Sequence, residues 1–420
     1  MQHETVNPEL FRWNRKRFAR EMREDSVAVF CSNDEVGSNG NQHCRYRQNP
    51  DLYYLTGVTQ PETVLVLAPN TAKQGFAEVL FVRRPDHVDA RRAGTGLELP
   101  QAAQLSGIEQ VLFVDALEGV LHELVLLASR VYVNGREDRH AYSEAPARDL
   151  RFAERLMRLY PAHKYHRAQP ILKKIGMVKS APEVGLISKA AELANVGLRA
   201  CAKTLRAGAA EHAVEAAAVA AVIAGGAQGL AHPTRVAAGR RTLFPGYDAN
   251  AGTLGAGELV SVQLGVTYAG YHASVARALP VDGAFDLRQR EAYDYVVSAL
   301  QFGTNALVPG ATLPECEAAL RDRLHTVCRQ LGLRTARPGV DYAEGCYFHV
   351  GRHLRDPYLP YAPLQSGMVL ACEPGVYLHD DGFGVQLRNV ILVTDQGPVN
   401  LTASVPLAID EVEALAGVTA

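Results

Sequence analysis

Residues 258–280, ELVSVQLGVTYAGYHASVARALP, decide the fold. The first arm, residues 259–264, is apolar and β-branched, and the second arm, residues 271–280, alternates apolar residues with small or polar ones. The four residues between them, Thr267-Tyr268-Ala269-Gly270, can form a tight turn. The pattern therefore predicts a β-hairpin, and the rest of the chain is best understood from it.

Two polar residues stand at corresponding places in the two arms, Gln263 and Ser274. If the hairpin is symmetric about Tyr268 and Ala269, these residues are direct cross-strand neighbours. Their side chains would then share one face of the hairpin and lie within about 5 Å of each other.

The hairpin resembles the metal-binding hairpin of the bacterial Xaa-Pro aminopeptidases (aminopeptidase P), which have the pita-bread fold of the creatinase and methionine aminopeptidase type. That family's motif is D-x-G followed by G-Y-x-x-D, with ten residues between the aspartates. Here Gln263-x-Gly265 and Gly270-Tyr271-x-x-Ser274 keep the glycines, the tyrosine and the ten-residue gap, but both aspartates are replaced. The resemblance implies that the face of Gln263 and Ser274 lines a central cleft.

The composition is that of a globular protein with more than one domain. The chain has 420 residues, of which 47% are hydrophobic and 21% charged, and its formal net charge is −2. This charge gives no case for binding nucleic acid or an anionic membrane, and no apolar run is long enough to span one. The N-terminus lacks an apolar signal core. Seven cysteines without a C-x-x-C pair favour free thiols in the cytoplasm.

Residues 1–175 are predicted to form an α/β domain of the aminopeptidase P N-terminal type. Apolar segments alternate with helical ones, which indicates a mixed sheet with helices on its faces. Residues 46–57, YRQNPDLYYLTG, resemble the same domain of the family, in which it shapes the substrate cleft and subunit contacts; their aromatic residues predict a packed strand. The strands are predicted at residues 26–31, 64–68, 79–82 and 131–133, and a helix at residues 117–128.

Residues 176–420 are predicted to form an α+β domain of the pita-bread type. Residues 168–180 resemble the family's linker into this domain, and Ser180 with Glu183 forms a capping box that begins a long helix. No internal repeat is visible in the sequence. Helices are predicted at residues 180–206, 211–223, 287–306 and 312–331, and strands at residues 346–350, 368–372 and 385–394.

An active member of the family holds two divalent cations with two aspartates, one histidine and two glutamates, a set that suits Mn²⁺. Gln263 and Ser274 stand at the aspartate positions, and an amide or a hydroxyl is a far weaker ligand than a carboxylate. The glutamate motif E-P-G-x-Y is kept, with Glu373 as its glutamate. The motif G-x-R-x-E reads GVQLR at residues 384–388, so a permanent cation, Arg388, replaces the second glutamate.

The family's histidine pattern, H-G-x-S-H with a later H-D, resembles His349-Val-Gly-Arg-His353 and Arg355-Asp356. On this alignment His353 holds the position of the histidine ligand, and Arg355 replaces the later histidine. A shifted alignment would give the ligand position to His349 or Arg352.

A further family histidine, which precedes a tyrosine, corresponds to Gly246 before Tyr247. Among the matched carboxylate positions, the positive and negative charges of the present residues cancel, so nothing would offset the charge of two cations. The sequence therefore predicts neither metal nor cofactor. The predicted remnant of the metal site comprises Gly246, Tyr247, Gln263, Ser274, His349, His353, Arg355, Glu373 and Arg388.

Three functions remain open. The first is a pseudoenzyme or binding protein on the Xaa-Pro aminopeptidase scaffold, which holds a peptide or small molecule in its cleft, forms a homodimer, or associates with an active relative. The second is a metal-independent hydrolase that reuses the creatinase-type pocket, with His349 and His353 as the candidate acid and base; both could equally be structural. The third is a Mn²⁺-dependent Xaa-Pro aminopeptidase.

The replaced ligands lead to one prediction of geometry. Arg388 and Glu373 stand where the family's carboxylates converge, and a guanidinium matches the geometry of a carboxylate. We expect an ion pair within about 4 Å, with Gln263 or Ser274 taking a remaining hydrogen bond. In the alternative arrangement, Arg388 turns into solvent and Glu373 pairs with His353 or water.

Overall fold

The computed structural model describes residues 5–40, 42–85, 96–135 and 146–417. The chain divides into two compact units, Thr5–Ile175 and Gly176–Ala420, here called the N-terminal and C-terminal units. No helix within the described ranges is both long and apolar enough to cross a bilayer.

The N-terminal unit mixes strands and helices, as the sequence predicts. Its strands are β1 (Ser26–Cys31), β2 (Gly37–Asn39), β3 (Gln42–His43), β4 (Val64–Leu67), β5 (Glu78–Val82), β6 (Gln110–Phe113), β7 (Arg130–Val133) and β8 (Lys164–Arg167). Its helices are α1 (Pro8–Glu21), α2 (Pro50–Thr56), α3 (Leu99–Ser106), α4 (Leu117–Leu126) and α5 (Arg148–Leu159). The boundary between the units falls within α6 (Gln169–Met177).

A six-stranded mixed sheet forms the centre of this unit, with the strand order β6-β5-β4-β1-β7-β8. β1 is antiparallel to β4 and parallel to β7. Successive side chains of a strand point to opposite faces. Ala28 and Phe30 of β1 therefore enter one apolar cluster, whereas Val27 and Val29 enter another on the opposite face. Burial on both faces explains why these strands read as continuous apolar runs.

The segment predicted as a packed strand, residues 46–57, contains helix α2 instead. The side chain of Asn49 accepts a hydrogen bond from the backbone of Asp51 at 3.0 Å, and Pro50 occupies the first turn. Gly57 ends the helix with a φ of 69°. This cap, proline and terminal glycine specify a helix and outweigh the strand preference of the tyrosines, which are nevertheless buried.

The C-terminal unit repeats an order of paired helices followed by strands. Its helices are α7 (Ala181–Ala202), α8 (Glu211–Ala224), α9 (Leu287–Asn305), α10 (Leu313–Gln330) and α11 (Ile409–Ala416). Its strands are β9 (Gly229–Leu230), β10 (Arg235–Ala238), β11 (Leu259–Tyr268), β12 (Tyr271–Pro280), β13 (Tyr347–His349), β14 (Val369–Cys372), β15 (Gly375–Leu378), β16 (Phe383–Gln386), β17 (Asn389–Leu392) and β18 (Val399–Asn400).

These strands form three sheets. One has the order β10-β11-β12, with β9 also paired to β11, and the second has the order β13-β14-β17-β18. β15 and β16 form a separate two-stranded sheet. Helices α7 and α8 pack together, and α7 contacts both arms of the β11–β12 hairpin. The capping box of Ser180 and Glu183 begins α7 as predicted, although the helix ends at Ala202 rather than near residue 206.

The hairpin is present, but its turn lies one residue later than the symmetric alternative requires. Tyr268 pairs with Tyr271, so Ala269 and Gly270 form a two-residue turn with φ values of 46° and 75°. Such a turn needs positive φ at both positions, which glycine adopts without cost. Gln263 consequently lies opposite Ala276, not opposite Ser274, so the expectation of direct cross-strand neighbours is wrong.

The strand predicted over residues 385–394 is broken near Arg388, the position that corresponds to a metal ligand of the family. β16 ends at Gln386 and pairs with β15, whereas β17 begins at Asn389 and pairs with β14. Between them, the backbone amide of Arg388 donates to the carbonyl of Ala276 in β12 at 3.1 Å. The break thus places Arg388 directly against the hairpin.

Candidate functional site

One face of the β11–β12 hairpin carries both polar residues singled out by the sequence. Gln263 is 3% exposed and Ser274 is fully buried, so neither lies on the outer surface. They share this face as diagonal neighbours because Ser274 lies opposite Gly265. A Cβ on Gly265 would stand 2.6 Å from Cδ2 of His232, so the glycine allows the imidazole to approach this face.

The predicted ion pair between Arg388 and Glu373 is present. Nη2 of Arg388 donates to Oε1 of Glu373, and the side chains are only 5% and 7% exposed. Glu373 directly follows β14, while Arg388 occupies the break between β16 and β17. The alternative in which Arg388 turns into solvent is therefore wrong.

Two glutamines close this pair into a ring of hydrogen bonds. Nε2 of Gln263 donates to Oε1 of Gln386 at 2.8 Å, and Nε2 of Gln386 donates to Oε1 of Glu373 at 2.8 Å. Nη2 of Arg388 also approaches Oε1 of Gln263 at 3.5 Å. The prediction that Gln263 or Ser274 takes a remaining hydrogen bond is met by Gln263. These four residues, Gln263, Glu373, Gln386 and Arg388, are called the Glu373 ring below.

A second arginine reaches the ring from the neighbouring strand. Arg235 begins β10 opposite Gln263, and its Nη1 donates to Oε1 of Gln263 at 3.4 Å and to the carbonyl of Pro245 at 3.2 Å. Two guanidinium groups, those of Arg235 and Arg388, thus converge on one neutral amide oxygen. Positive charge is concentrated beside the single carboxylate of the ring.

A third arginine lies at the exposed edge of this region. Cζ of Arg355 stands 4.3 Å from the ring centroid of Phe348, and Cζ of Arg388 stands 5.7 Å from the same centroid. These are cation–π distances. Phe348 therefore brings the exposed guanidinium of Arg355 into the neighbourhood of the buried one.

Two histidines near the site, His232 and His349, have pKa values below the usual range, so they are neutral at physiological pH. Burial, followed by the charge of Arg388, lowers the pKa of His232 to about 4. Its Nδ1 lies 2.6 Å from the carbonyl of Pro233, which fixes the proton there and leaves Nε2 as the acceptor. Burial and the charge of Lys179 lower the pKa of His349 to about 3.

The two histidines predicted as acid and base, His349 and His353, contact Tyr358 and Asp356, which lie outside the Glu373 ring. His349 stacks on Tyr358 with ring centroids 5.0 Å apart. The backbone amide of His353 donates to Asp356, whose other carboxylate oxygen pairs with Lys179 at 3.0 Å. His349 and His353 thus adjoin a separate buried ion pair.

Gly246 and Tyr247 lie close to the ring only through their neighbour Pro245. Gly246 is exposed, and the hydroxyl of Tyr247 donates to Glu211 at 2.7 Å. Glu211 is fully buried and is the centre of another hydrogen-bonded group. Of the predicted remnant of the metal site, the structure brings together Gln263, Ser274, Glu373 and Arg388 most directly.

Several buried donor and acceptor atoms around the Glu373 ring have no hydrogen-bond partner within the described ranges. They are Nε and Nη1 of Arg388, Nε of Arg235, Oγ of Ser274 and Nε2 of His232. Buried polar atoms are otherwise nearly always bonded in native proteins. Within the described ranges, no group of three or more His, Cys, Asp or Glu side chains is arranged to hold a metal ion.

Sequence reasoning missed three residues of this region, His232, Arg235 and Gln386. Gln386 lies inside the GVQLR motif of residues 384–388, at the position of the family's arginine, and this substitution is a usable signal. His232 and Arg235 belong to the segment HPTR, which carries no motif. Only the pairing of β9 and β10 with β11 reveals their place.

Comparison with known proteins identifies both units. The model of "Metallopeptidase family M24" matches residues 185–395, and that of "Aminopeptidase P, N-terminal domain" matches residues 11–132. The chain is 26% identical to a Xaa-Pro aminopeptidase of Escherichia coli over 98% of both chains. It is 25% identical to a Xaa-Pro aminopeptidase of Haemophilus influenzae over 97% of both.

Solved structures agree with these matches. A zinc-substituted aminopeptidase P of E. coli, in complex with product, superposes with a TM-score of 0.87 at 25% identity, covering 98% of this chain and 99% of that one. An aminopeptidase of Pseudomonas aeruginosa gives a TM-score of 0.90 at 24% identity over 99% of both chains. The predicted fold, an α/β N-terminal domain and an α+β pita-bread domain, is confirmed. The chain belongs to metallopeptidase family M24 and, within it, to the aminopeptidase P family.

Proposed function

We propose that this protein is a binding protein on the aminopeptidase P scaffold that has lost the dinuclear metal site, and with it the peptidase activity. The observation that carries the proposal is the buried ion pair of Arg388 with Glu373. A guanidinium tethered to the protein stands where the family's pattern has a carboxylate, and it satisfies the glutamate that remains.

The donor set around this pair does not fit two divalent cations. Gln263 and Ser274 offer only neutral oxygens, and Glu373 is already hydrogen-bonded to Gln386 and Arg388. A metal ion would have to displace the guanidinium and remain beside its positive charge. In a buried site such charge needs compensation, and the ring supplies one carboxylate.

The test measures metal content and peptide hydrolysis on one preparation. The purified chain is incubated with Mn²⁺, desalted and analysed for bound metal, and Xaa-Pro peptides are assayed with and without added Mn²⁺. We expect much less than one metal per chain and hydrolysis at the background rate.

A Glu373→Gln variant separates contamination from true activity. Mn²⁺-dependent hydrolysis that persists in this variant comes from a contaminating peptidase, since the remaining carboxylate of the site is gone. Stoichiometric Mn²⁺ together with hydrolysis that this substitution abolishes would contradict the proposal. It would instead favour the Mn²⁺-dependent aminopeptidase, the activity in the names of the relatives.

A metal-independent hydrolase is the second candidate, and His232 is the observation that favours it. Burial lowers the pKa of its imidazole to about 4, and Nε2, beside the Glu373 ring, has no hydrogen-bond partner among the residues that the structure describes. Such a nitrogen can act as a general base. Hydrolysis of a substrate in the presence of EDTA, lost in His232→Gln, would support this candidate over the binding protein.

The remaining expectations stay predictions. We propose a peptide or small-molecule ligand rather than nucleic acid or membrane, a homodimer, and a cytoplasmic location. The oligomeric state can be measured directly by analytical ultracentrifugation of the full chain.

A further inference from the structure

We infer that the unpartnered donors beside the Glu373 ring form a binding site for the carboxylate group of a small organic ligand. The inference rests on the proposed function, because it requires that no metal ion occupies these positions. It goes beyond that function by naming the chemical class of the ligand and the residues that bind it.

The first argument is the convergence of two guanidinium groups. Arg235 and Arg388 both approach Oε1 of Gln263, at 3.4 and 3.5 Å. Two like charges directed at one neutral oxygen repel each other, and burial strengthens the repulsion. Glu373 neutralises one of the two charges, so the pair retains an uncompensated positive charge.

The second argument is the set of buried donors that this chain does not use. Among the described residues, Nε and Nη1 of Arg388, which is 4% exposed, have no hydrogen-bond partner, and neither does Nε of Arg235. Oγ of the fully buried Ser274, on the same hairpin face as Gln263, also has no partner in the part of the chain that the structure describes. Leaving such groups unbonded is costly, which favours a bound acceptor with several lone pairs.

The third argument decides between a carboxylate and a phosphate. Both match the geometry of a guanidinium. Glu373 already places one negative charge in the ring, so a doubly charged phosphate would meet stronger repulsion than a singly charged carboxylate. His232 supplies no balancing charge, because its Nδ1 proton is directed at Pro233 and its Nε2 is an acceptor. A monovalent carboxylate neutralises the remaining excess.

The experiment uses the full chain after treatment with EDTA and dialysis, and sodium acetate is the probe. Binding is measured by isothermal titration calorimetry, with sodium chloride at the same ionic strength as the reference. We expect acetate to bind and chloride to give no comparable heat. Phosphate should bind more weakly than acetate, and tighter binding of phosphate would overturn the assignment to carboxylates.

Two variants locate the site. Arg235→Gln should weaken the affinity for acetate by about tenfold or more, the effect of losing one charged hydrogen bond. Ser274→Ala should weaken it by a smaller factor, since the lost donor is neutral. Arg206→Gln, which changes an exposed arginine of the same unit, is the matched control and should leave the affinity unchanged.

Equal responses to acetate and chloride would mean that these donors hold water only, and the inference would fail. It would fail equally if both site variants bound acetate as tightly as the unaltered chain. The EDTA treatment keeps this result separate from the proposed function, because acetate held by a resident metal is lost with the metal, whereas acetate held by arginines is not.

Discussion

Two buried carboxylates of the C-terminal unit, Glu211 and Glu373, each pair with an arginine, but their surroundings differ. Glu211 accepts hydrogen bonds from Arg241 at 2.6 Å, from the hydroxyl of Tyr247 at 2.7 Å and from two backbone amides at 2.8 and 2.7 Å. The partners of Glu211 thus include backbone amides as well as side chains. Glu373 is bonded to the side chains of Gln386 and Arg388.

The difference separates a pair whose hydrogen bonds stabilise the fold from a pair that, on our inference, keeps charge for a ligand. Around Glu211, four donors are satisfied by one carboxylate, so the group is closed. Around Glu373, two nitrogens of Arg388 have no partner in the described part of the chain, and a second arginine, Arg235, reaches the same ring. An acid–arginine pair is therefore not by itself a sign of function; the unused donors beside it are.

The largest expected effect on stability is at Glu211. Glu211→Ala removes the acceptor of two backbone amides and leaves Arg241 without its carboxylate. Breaking a buried pair in this way typically costs about 3–5 kcal/mol. The free energy of unfolding, measured with urea, should fall by that order. Glu192→Ala, which breaks an exposed pair with Lys189, is the control and should change it by less than about 1 kcal/mol. A similar small change for both variants would contradict the distinction.

The second-largest effect on stability is expected for the pair of Arg388 with Glu373. Arg388→Ala leaves Glu373 buried without its cation and should reduce the free energy of unfolding by about 3 kcal/mol. The double variant Arg388→Ala with Glu373→Gln removes the unpaired charge as well, so it should be more stable than the single variant. Urea unfolding of both variants measures the difference. If the two are equally stable, the ion pair does not contribute in the way proposed.

The pH dependence of the free energy of unfolding should distinguish Glu211 from an ordinary surface carboxylate. Burial alone would raise the pKa of Glu211, but hydrogen bonds from Arg241, Tyr247 and the backbone outweigh it and hold the pKa below its usual value. A depressed pKa contributes stability that is present above the unfolded-state value and is lost as the pH falls through the folded-state value. Glu211→Gln should therefore lose less stability in acid than the unaltered chain. Parallel pH profiles for the two would exclude this contribution.

Much of the fold could be predicted from the sequence, because its strongest signals are local. The capping box at Ser180, the alternating arms of the hairpin and the apolar run of β1 each specify their element without reference to distant residues. The position of the hairpin turn could not be fixed, since a shift of one residue at Ala269 leaves the same pattern in both arms. Helix α2 could not be predicted from its aromatic residues, which favour a strand, whereas its cap specifies a helix.

The site was predicted only in part, for a similar reason. The pairing of Arg388 with Glu373 could be predicted because each residue lies in a motif that supplies a metal ligand in the family. The roles of Arg235 and His232 depend on the strand pairing that places them beside β11. No spacing in the sequence encodes that proximity.

The smallest expected effect is on Ser274. It tests whether the donors beside the Glu373 ring are free to bind a ligand. Oγ of Ser274 is fully buried and no described residue is its hydrogen-bond partner, so the described protein does not compensate its desolvation. Replacing such a group by a methyl-sized apolar one can be neutral or stabilising. Ser274→Ala should therefore change the free energy of unfolding by no more than about 1 kcal/mol, in the stabilising direction or not at all, when measured without carboxylates. The same variant should gain less stability than the unaltered chain when acetate is added, because the ligand has lost one donor. A loss above about 1 kcal/mol without acetate would mean that Oγ is bonded within the protein or to a tightly held water, and the contrast with Glu211 would narrow to the arginines alone.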